Sequence, residues 1–313
     1  MIRFVQHKDI LPEKWDEAVL RSQLPTVLAT YGLLNTLTAD SAWDALILDD
    51  YAAVMPLPHR VKLGIHYIYT PFFIPQLGIF SPTPTDADTT FAFFNNIPAK
   101  FKQVDLLLNT TNNVGLLKNE IIQLVSHQLS LQKNYEQLQA DFSQNTRRNI
   151  KDAQKHSLTY FEDEMILEDV IHLFKQNKGK GKNVHYGNDD YQILQKTALQ
   201  LIEKQKLLVA GVHNANEKLV AGALFLHDFT KIHFWFSGRD DEASEGKPMF
   251  FLLNEYIRRH AGISKILDFN GSSDPNVARL YKGFGGIAYE IPMLHHTSAL
   301  WKVPMQVYRF LSK

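Results

Sequence analysis

The stretch Lys265–Gly286, KILDFNGSSDPNVARLYKGFGG, constrains the fold of this chain more than any other. Ile266, Leu267 and Phe269 form a short apolar run suited to a buried strand. Asp268 interrupts that run, where a carboxylate needs a partner or a task. Asn270-Gly271-Ser272-Ser273-Asp274-Pro275 is dense turn sequence, and Asp274-Pro275 reads as a capped helix start. Val277, Leu280 and Tyr281 recur at helical spacing, and Gly283 ends the helix. Phe284-Gly285-Gly286 then turns the chain into another strand. A strand that ends in a polar, glycine-bearing turn at a helix N-terminus is a common ligand position, and an ordinary βαβ corner has the same pattern.

The chain has 313 residues, which suits one large domain or two of ordinary size. Lys plus Arg balances Asp plus Glu at 33 each, so no global charge demands nucleic acid, and no DNA partner is expected. The chain has no cysteine, which excludes thiolate nucleophiles, disulfides and cysteine-based metal sites. The N-terminus lacks the apolar core of a signal peptide, and the apolar runs are too short to span a membrane. A cytoplasmic protein is the expectation.

Along the chain, strands are expected at 2–5, 65–70, 76–80 and 104–109, with hairpins at 44–56, 120–132 and 207–227. Helices are expected at 12–21, 86–95, 135–142, 146–156, 171–176, 191–206 and 248–260. Lys231–Ser237 alternates, with Ile232, Phe234 and Phe236 assigned to one face and His233, Trp235 and Ser237 to the other. The final segment, 300–311, reads as a strand-and-helix tail. The character of the sequence changes after Asn134, so the expected domains are 1–134 and 135–313.

Three stretches carry a family resemblance. They are Phe142-Ser143-x-x-Thr146-Arg147-Arg148-Asn149-Ile150-Lys151-x-Ala153, Leu267-Asp268-Phe269-x-Gly271-Ser272, and Leu280-Tyr281-Lys282-Gly283-Phe284-Gly285. Their order and spacing resemble the FemABX family, the tandem-GNAT aminoacyltransferases. The third stretch departs from the family by one residue between Lys282 and Phe284. The resemblance implies an α/β fold of two tandem GNAT-like domains, the first a degenerate copy of the second. It also implies transfer of an acyl or aminoacyl group to an amine, with aminoacyl-tRNA or acyl-CoA as donor and no tightly bound cofactor. The acceptor would be a small-molecule amine or a nucleotide-linked compound.

The same residues have chemistry of their own. Acyl transfer to an amine needs an unprotonated nucleophile, donors for the developing oxyanion and a seat for the donor's phosphates. Arg147, Lys151 and Lys155 recur every fourth residue on one helix face, a repulsive arrangement that a bound phosphate would offset, as would plain solvation. Arg148 belongs to the same segment. Lys178 to Lys182 is a lysine-rich loop without the Ser or Thr of a P-loop. Asp268 either orients or deprotonates the amine, or is a structural carboxylate. Lys282 either stabilises an oxyanion or phosphate, or simply favours a helix C-terminus. Trp235, Ser237, Arg239, Gly271 and Ser272 are candidate substrate contacts. The turn after Ser237 lacks the glycine spacing of a pyrophosphate cradle and carries four acids, which disfavours coenzyme A there. No nucleophile elbow, dinucleotide fingerprint or metal-ligand spacing stands out. Two further readings remain open: a GNAT-fold binding protein that has lost catalysis, and an atypical CoA-dependent N-acetyltransferase.

Overall fold

The computed structural model describes residues 1–39, 42–62, 64–177, 186–271 and 275–298. The tail at 300–311, the loop Lys178–Lys182, and Ser272 lie outside them. In chain order the elements are β1 (Ile2–Val5), α1 (Pro12–Leu20), α2 (Tyr31–Leu37), β2 (Trp43–Leu48), β3 (Ala53–Lys62), β4 (Ile65–Tyr69), α3 (Ala87–Asn95), β5 (Phe101–Leu107) and β6 (Ile121–Ser130). There follow α4 (Tyr135–Ala140), α5 (Gln144–Ala153), β7 (Thr159–Glu162), α6 (Leu167–Gln176), α7 (Asn188–Glu203), β8 (Leu207–His213) and β9 (Leu219–His227). The last are β10 (Lys231–Arg239), α8 (Pro248–His260), β11 (Ile266–Asp268), α9 (Pro275–Gly283) and β12 (Ile287–Thr297).

Local sequence accounts for most of these boundaries. Asp86 caps α3 by accepting from Thr89 N at 2.7 Å, and Ser143 caps α5 by accepting from Thr146 N at 3.1 Å. Pro12 and Pro248 open α1 and α8 at the position where proline loses no helical hydrogen bond. The Asn214 side chain closes the β8–β9 hairpin by accepting from the amides of Asn216 and Lys218.

Contacts divide the chain into one unit of Met1–Leu124 with the segment from Glu290 onward, and a second unit of Val125–Tyr289. This differs from the expected boundary at 134/135, and the reason is two strands. In the first unit the strand order is β1-β2-β3-β4-β5-β12, with β4 and β5 parallel. In the second it is β7-β8-β9-β10-β11-β6, with β10 and β11 parallel. The two orders correspond: four antiparallel strands, a parallel neighbour, then a closing antiparallel strand. In each unit the closing strand comes from the far half of the sequence. Leu129 and Leu131 of the β6 segment enter the core of the second unit, whereas Leu294 of β12 is buried in the first.

The segment 120–132, expected as a hairpin, is therefore one long strand. Residues 76–80 make isolated bridges, Val54 with Phe80 and Leu77 with Leu108, rather than a strand. The first unit also contains α2, which the sequence reading left out.

A third correction concerns β10. Phe234 pairs with Phe225 and Phe236 with Leu224, so Trp235 is the extra residue of a β-bulge. The bulge resets the alternation. Ile232 and Phe234 join the core with Leu252, Leu253 and Tyr256 of α8. Phe236 instead lies on the other face, its ring 4.6 Å from Phe174 of α6. His233 and Ser237 are consequently on opposite faces, and Trp235 is buried at the bulge.

Candidate active site

β10 and β11 run side by side for three pairs, Lys231–Ile266, Ile232–Leu267 and His233–Asp268. Beyond them the strands part. Trp235 bulges β10, while Asn270 and Gly271 turn β11 away in left-handed conformations, with φ of +54° and +71°. Glycine adopts that region freely, and asparagine more readily than most residues. Asn270 sits in the fork. Its Oδ1 lies 2.7 Å from His233 Nδ1, and its Nδ2 donates to Phe234 O at 3.4 Å.

Asp268 anchors the fork from below. It is 1% exposed. One oxygen accepts from Lys231 Nζ at 2.8 Å and Tyr289 OH at 2.6 Å; the other accepts from Asn270 N at 3.0 Å and Ser126 Oγ at 3.2 Å. Burial pushes this carboxyl up, but the charge of Lys231, the field of His233 and the hydrogen bonds of Lys231 and Tyr289 outweigh it, leaving it below its usual value. A carboxylate with four donors has little capacity left to take a proton from an amine. Of the two roles expected for Asp268, the geometry supports the structural and orienting one. Its main-chain partner is Asn270 N; Gly271 N instead donates to Ser126 Oγ at 2.7 Å.

His127 lies beside this network on β6, where its carbonyl accepts from Phe269 N at 2.9 Å. It is 1% exposed, and among the described residues neither ring nitrogen has a hydrogen-bond partner. Burial, and then the positive charge of Lys282, push the imidazole below its usual value and keep it neutral at pH 7. Its ring is 6.2 Å from that of Tyr281, which stacks on Phe269 at 4.5 Å. Lys282 itself is exposed at the end of α9.

The stretches 142–153 and 280–285 meet by close packing. Ser143 N donates to Gly283 O at 2.9 Å, and the Phe142 and Phe284 rings are 5.1 Å apart. A Cβ added at Gly283 would press on Thr146 Oγ1, so a larger residue here must displace that side chain. Arg147, Arg148 and Lys151 are exposed on α5. Arg147 donates to Ala140 O at 2.9 Å, and Arg148 to Asn145 Oδ1 at 2.9 Å. Arg239 lies at the far end of β10, paired with Asp241 at 3.1 Å. Asp268 and Gly271 thus meet in one cluster, with Trp235 bulging β10 at the same fork, whereas Arg147, Arg148 and Arg239 have their polar contacts elsewhere. A 440 Å³ polar cavity lined by Glu168, Asp169, Ile171, His172, Lys175 and Gln195 shares none of the fork residues.

Residues 140–275 match the acetyltransferase (GNAT) domain family model. Among solved structures, FemX aligns with a TM-score of 0.65 over 96% of this chain and 99% of its own, at 12% identity. The chain has the fold of FemX, with a GNAT domain in its second half. A conserved protein of unknown function from Bacteroides thetaiotaomicron aligns at TM-score 0.60 and 12% identity, over 95% of this chain and all of its own. L-PGS from Bacillus licheniformis aligns at TM-score 0.55 and 10% identity, over 92% of both chains. No curated protein matches the sequence. At these identities the FemX likeness establishes the fold.

Within this FemX-like fold, Lys231, Ser126, His127, Asn270 and Tyr289 are the site residues that sequence reasoning passed over. Lys231 looked like the polar start of a strand. Ser126 and His127 lie between the two halves of the expected 120–132 hairpin, and Tyr289 lies in the strand expected after Gly286. Asn270 was read as turn punctuation. No described helix is long and apolar enough to cross a membrane, and no group of three described His, Asp or Glu residues is placed to hold a metal ion.

Proposed function

We propose that this protein transfers an acyl or aminoacyl group to an amine acceptor. The supporting observation is the fork between β10 and β11: parallel strands parted by a bulge and a left-handed turn, and held by a buried carboxylate, in a GNAT-type domain. Asn270 and Gly271 give their own amides to Asp268 and Ser126, so the main-chain donors for an extended ligand and a developing oxyanion would come from the β10 side of the parted strands. In the reaction the acceptor nitrogen bonds to the acyl carbonyl carbon. The bond from that carbon to the donor's leaving oxygen or sulfur breaks. The nitrogen loses a proton and the leaving group gains one.

Asp268 is a positioning residue in this reading. With Lys231, Tyr289 and Ser126 it fixes Asn270 and Gly271 at the fork. Lys282 supplies a cation for an oxyanion or a phosphate. Arg147, Arg148 and Lys151 are proposed to meet the phosphates of the donor or of a nucleotide-linked acceptor. Aminoacyl-tRNA is the donor favoured by the FemX likeness, and acyl-CoA is the alternative.

The test is transfer of labelled acyl groups from a pool of aminoacyl-tRNAs, and separately from acetyl-CoA, to amines and UDP-linked muropeptides. Transfer that is lost in Asn270→Ala, with the fold unchanged by circular dichroism, supports the proposal. Absence of transfer from every donor overturns it in favour of a binding protein.

A further inference from the structure

The turn joining β10 to α8 contains an anion of its own. A diphosphate bound at a strand-to-helix turn is held by free main-chain N–H groups and the positive end of the helix dipole. Here most of those groups are already engaged. The Asp240 carboxylate, 7% exposed, accepts from Glu242 N at 2.9 Å and from Ala243 N. Asp241 N donates to Asn177 Oδ1 at 3.4 Å, and Asp240 N to Val220 O at 2.9 Å. Further along, Ser244, Gly246 and Lys247 donate to carbonyls of the turn itself, at 3.2, 3.1 and 3.1 Å. Pro248 has no N–H, and both Phe250 and Phe251 donate back to Lys247 O.

A cation is engaged as well. Lys218 Nζ, at the start of β9, lies 2.7 Å from Asp240 Oδ2. The Lys218 hydrogen bond, reinforced by the amides of Glu242 and Ala243, overcomes burial and holds the Asp240 carboxyl below its usual value, so it is ionised at pH 7. The turn thus already has an anion, two amides cradling it and a lysine neutralising it. An entering diphosphate would meet a fixed negative charge where it needs donors.

Resting on the acyl-transfer reading above, we propose that Asp240 is a donor-specificity residue: its carboxylate, locked by Lys218, occupies the anion seat of this turn and excludes coenzyme A thioesters. Asp240→Gly would release two amides and the Lys218 ammonium together.

Calorimetric titration of the full chain with CoA, and with inorganic pyrophosphate, tests this. The wild type should show no saturable binding in the millimolar range. Asp240→Gly should gain CoA affinity at least tenfold, and Asp240→Asn, which keeps an amide acceptor but frees Lys218, should gain less. Wild-type CoA binding that Asp240→Gly leaves unchanged overturns the proposal, as does a folded Asp240→Gly that gains none. If Asp240→Gly does not fold, Asp240→Asn decides by the same criterion. Absence of transfer from every donor would count against acyl transfer, and the CoA titrations would still decide the role of Asp240.

Discussion

Lys231 Nζ and the Asp268 carboxylate lie 2.8 Å apart at the ends of two parallel strands, with side chains 13% and 1% exposed. Removing one member of such a pair strands the other's charge in the core, a loss of about 3–5 kcal/mol. Lys231→Met should destabilise the protein by that order in urea unfolding, and Lys231→Met with Asp268→Leu should recover part of it. A loss for the single variant no greater than that of a surface substitution would show that Lys231 is not what holds Asp268 ionised. The folded pKa of Asp268 is depressed, so its contribution is complete above the unfolded carboxylate value and disappears as pH falls through the lower folded one.

A second pH dependence lies at the β9–α8 contact. His227 Nε2 is 3.0 Å from Tyr256 OH, with His260, Lys265 and Lys206 close by. Burial, then the charges of His260, Lys265 and Lys206, push its pKa down to about 4. The unfolded chain takes up this proton near pH 6.5 and the folded chain only near 4, so stability falls as pH drops across that window. A loss of about 2 kcal/mol, reduced for partial solvent screening, is expected between pH 7 and 4. His227→Gln should flatten that slope; an unaltered profile would assign it to other groups.

The approach of α5 to α9 predicts non-additive substitutions. Gly283→Ala places a methyl against Thr146 Oγ1 and should cost about 1–3 kcal/mol. Thr146→Ala removes that oxygen. The double variant should be more stable than the sum of the two single changes by about 1 kcal/mol in a thermodynamic cycle. Strict additivity would mean that the backbone relaxes around the added methyl.

His127 predicts a stabilising substitution in the core. Among the described residues its buried nitrogens have no hydrogen-bond partner, an arrangement that costs stability, so His127→Leu should raise the unfolding free energy by about 1 kcal/mol. A less stable His127→Leu would reveal a hydrogen-bond partner for the ring in solution.

The basic face of α5 predicts a clean separation of binding from folding. Arg147→Gln with Lys151→Gln alters exposed side chains and should leave the melting temperature within a degree or two, since surface changes stay within about 0.5 kcal/mol. Affinity for phosphate-bearing donors or acceptors should fall at least tenfold. Unchanged affinity would identify this face as a solvated surface.

Much of this protein was legible in its sequence because the signals are local. Asp86 and Ser143 announce their helices by capping, the β8–β9 hairpin is written in its asparagine turn, and the order and spacing of three stretches resemble a tandem-GNAT family. Asp268 was legible as a residue needing a partner, since a charge inside an apolar run is conspicuous. Its partners were not, because Lys231, Ser126 and Tyr289 lie 37, 142 and 21 positions away in the chain. The alternation of β10 failed at Trp235 because a bulge is decided by pairing with β9, which no one-strand pattern contains.

The sequence by itself determined most of the elements and the place of the stretch 265–286 as a late strand and helix. Only the tertiary structure decided that β6 and β12 each close the sheet of the other half's unit, since a strand's ladder groups do not specify their partner by position along the chain. It also decided that Asp268 is saturated by four donors and that Asp240 fills its own turn, because hydrogen-bond capacity depends on which groups folding brings within 3 Å.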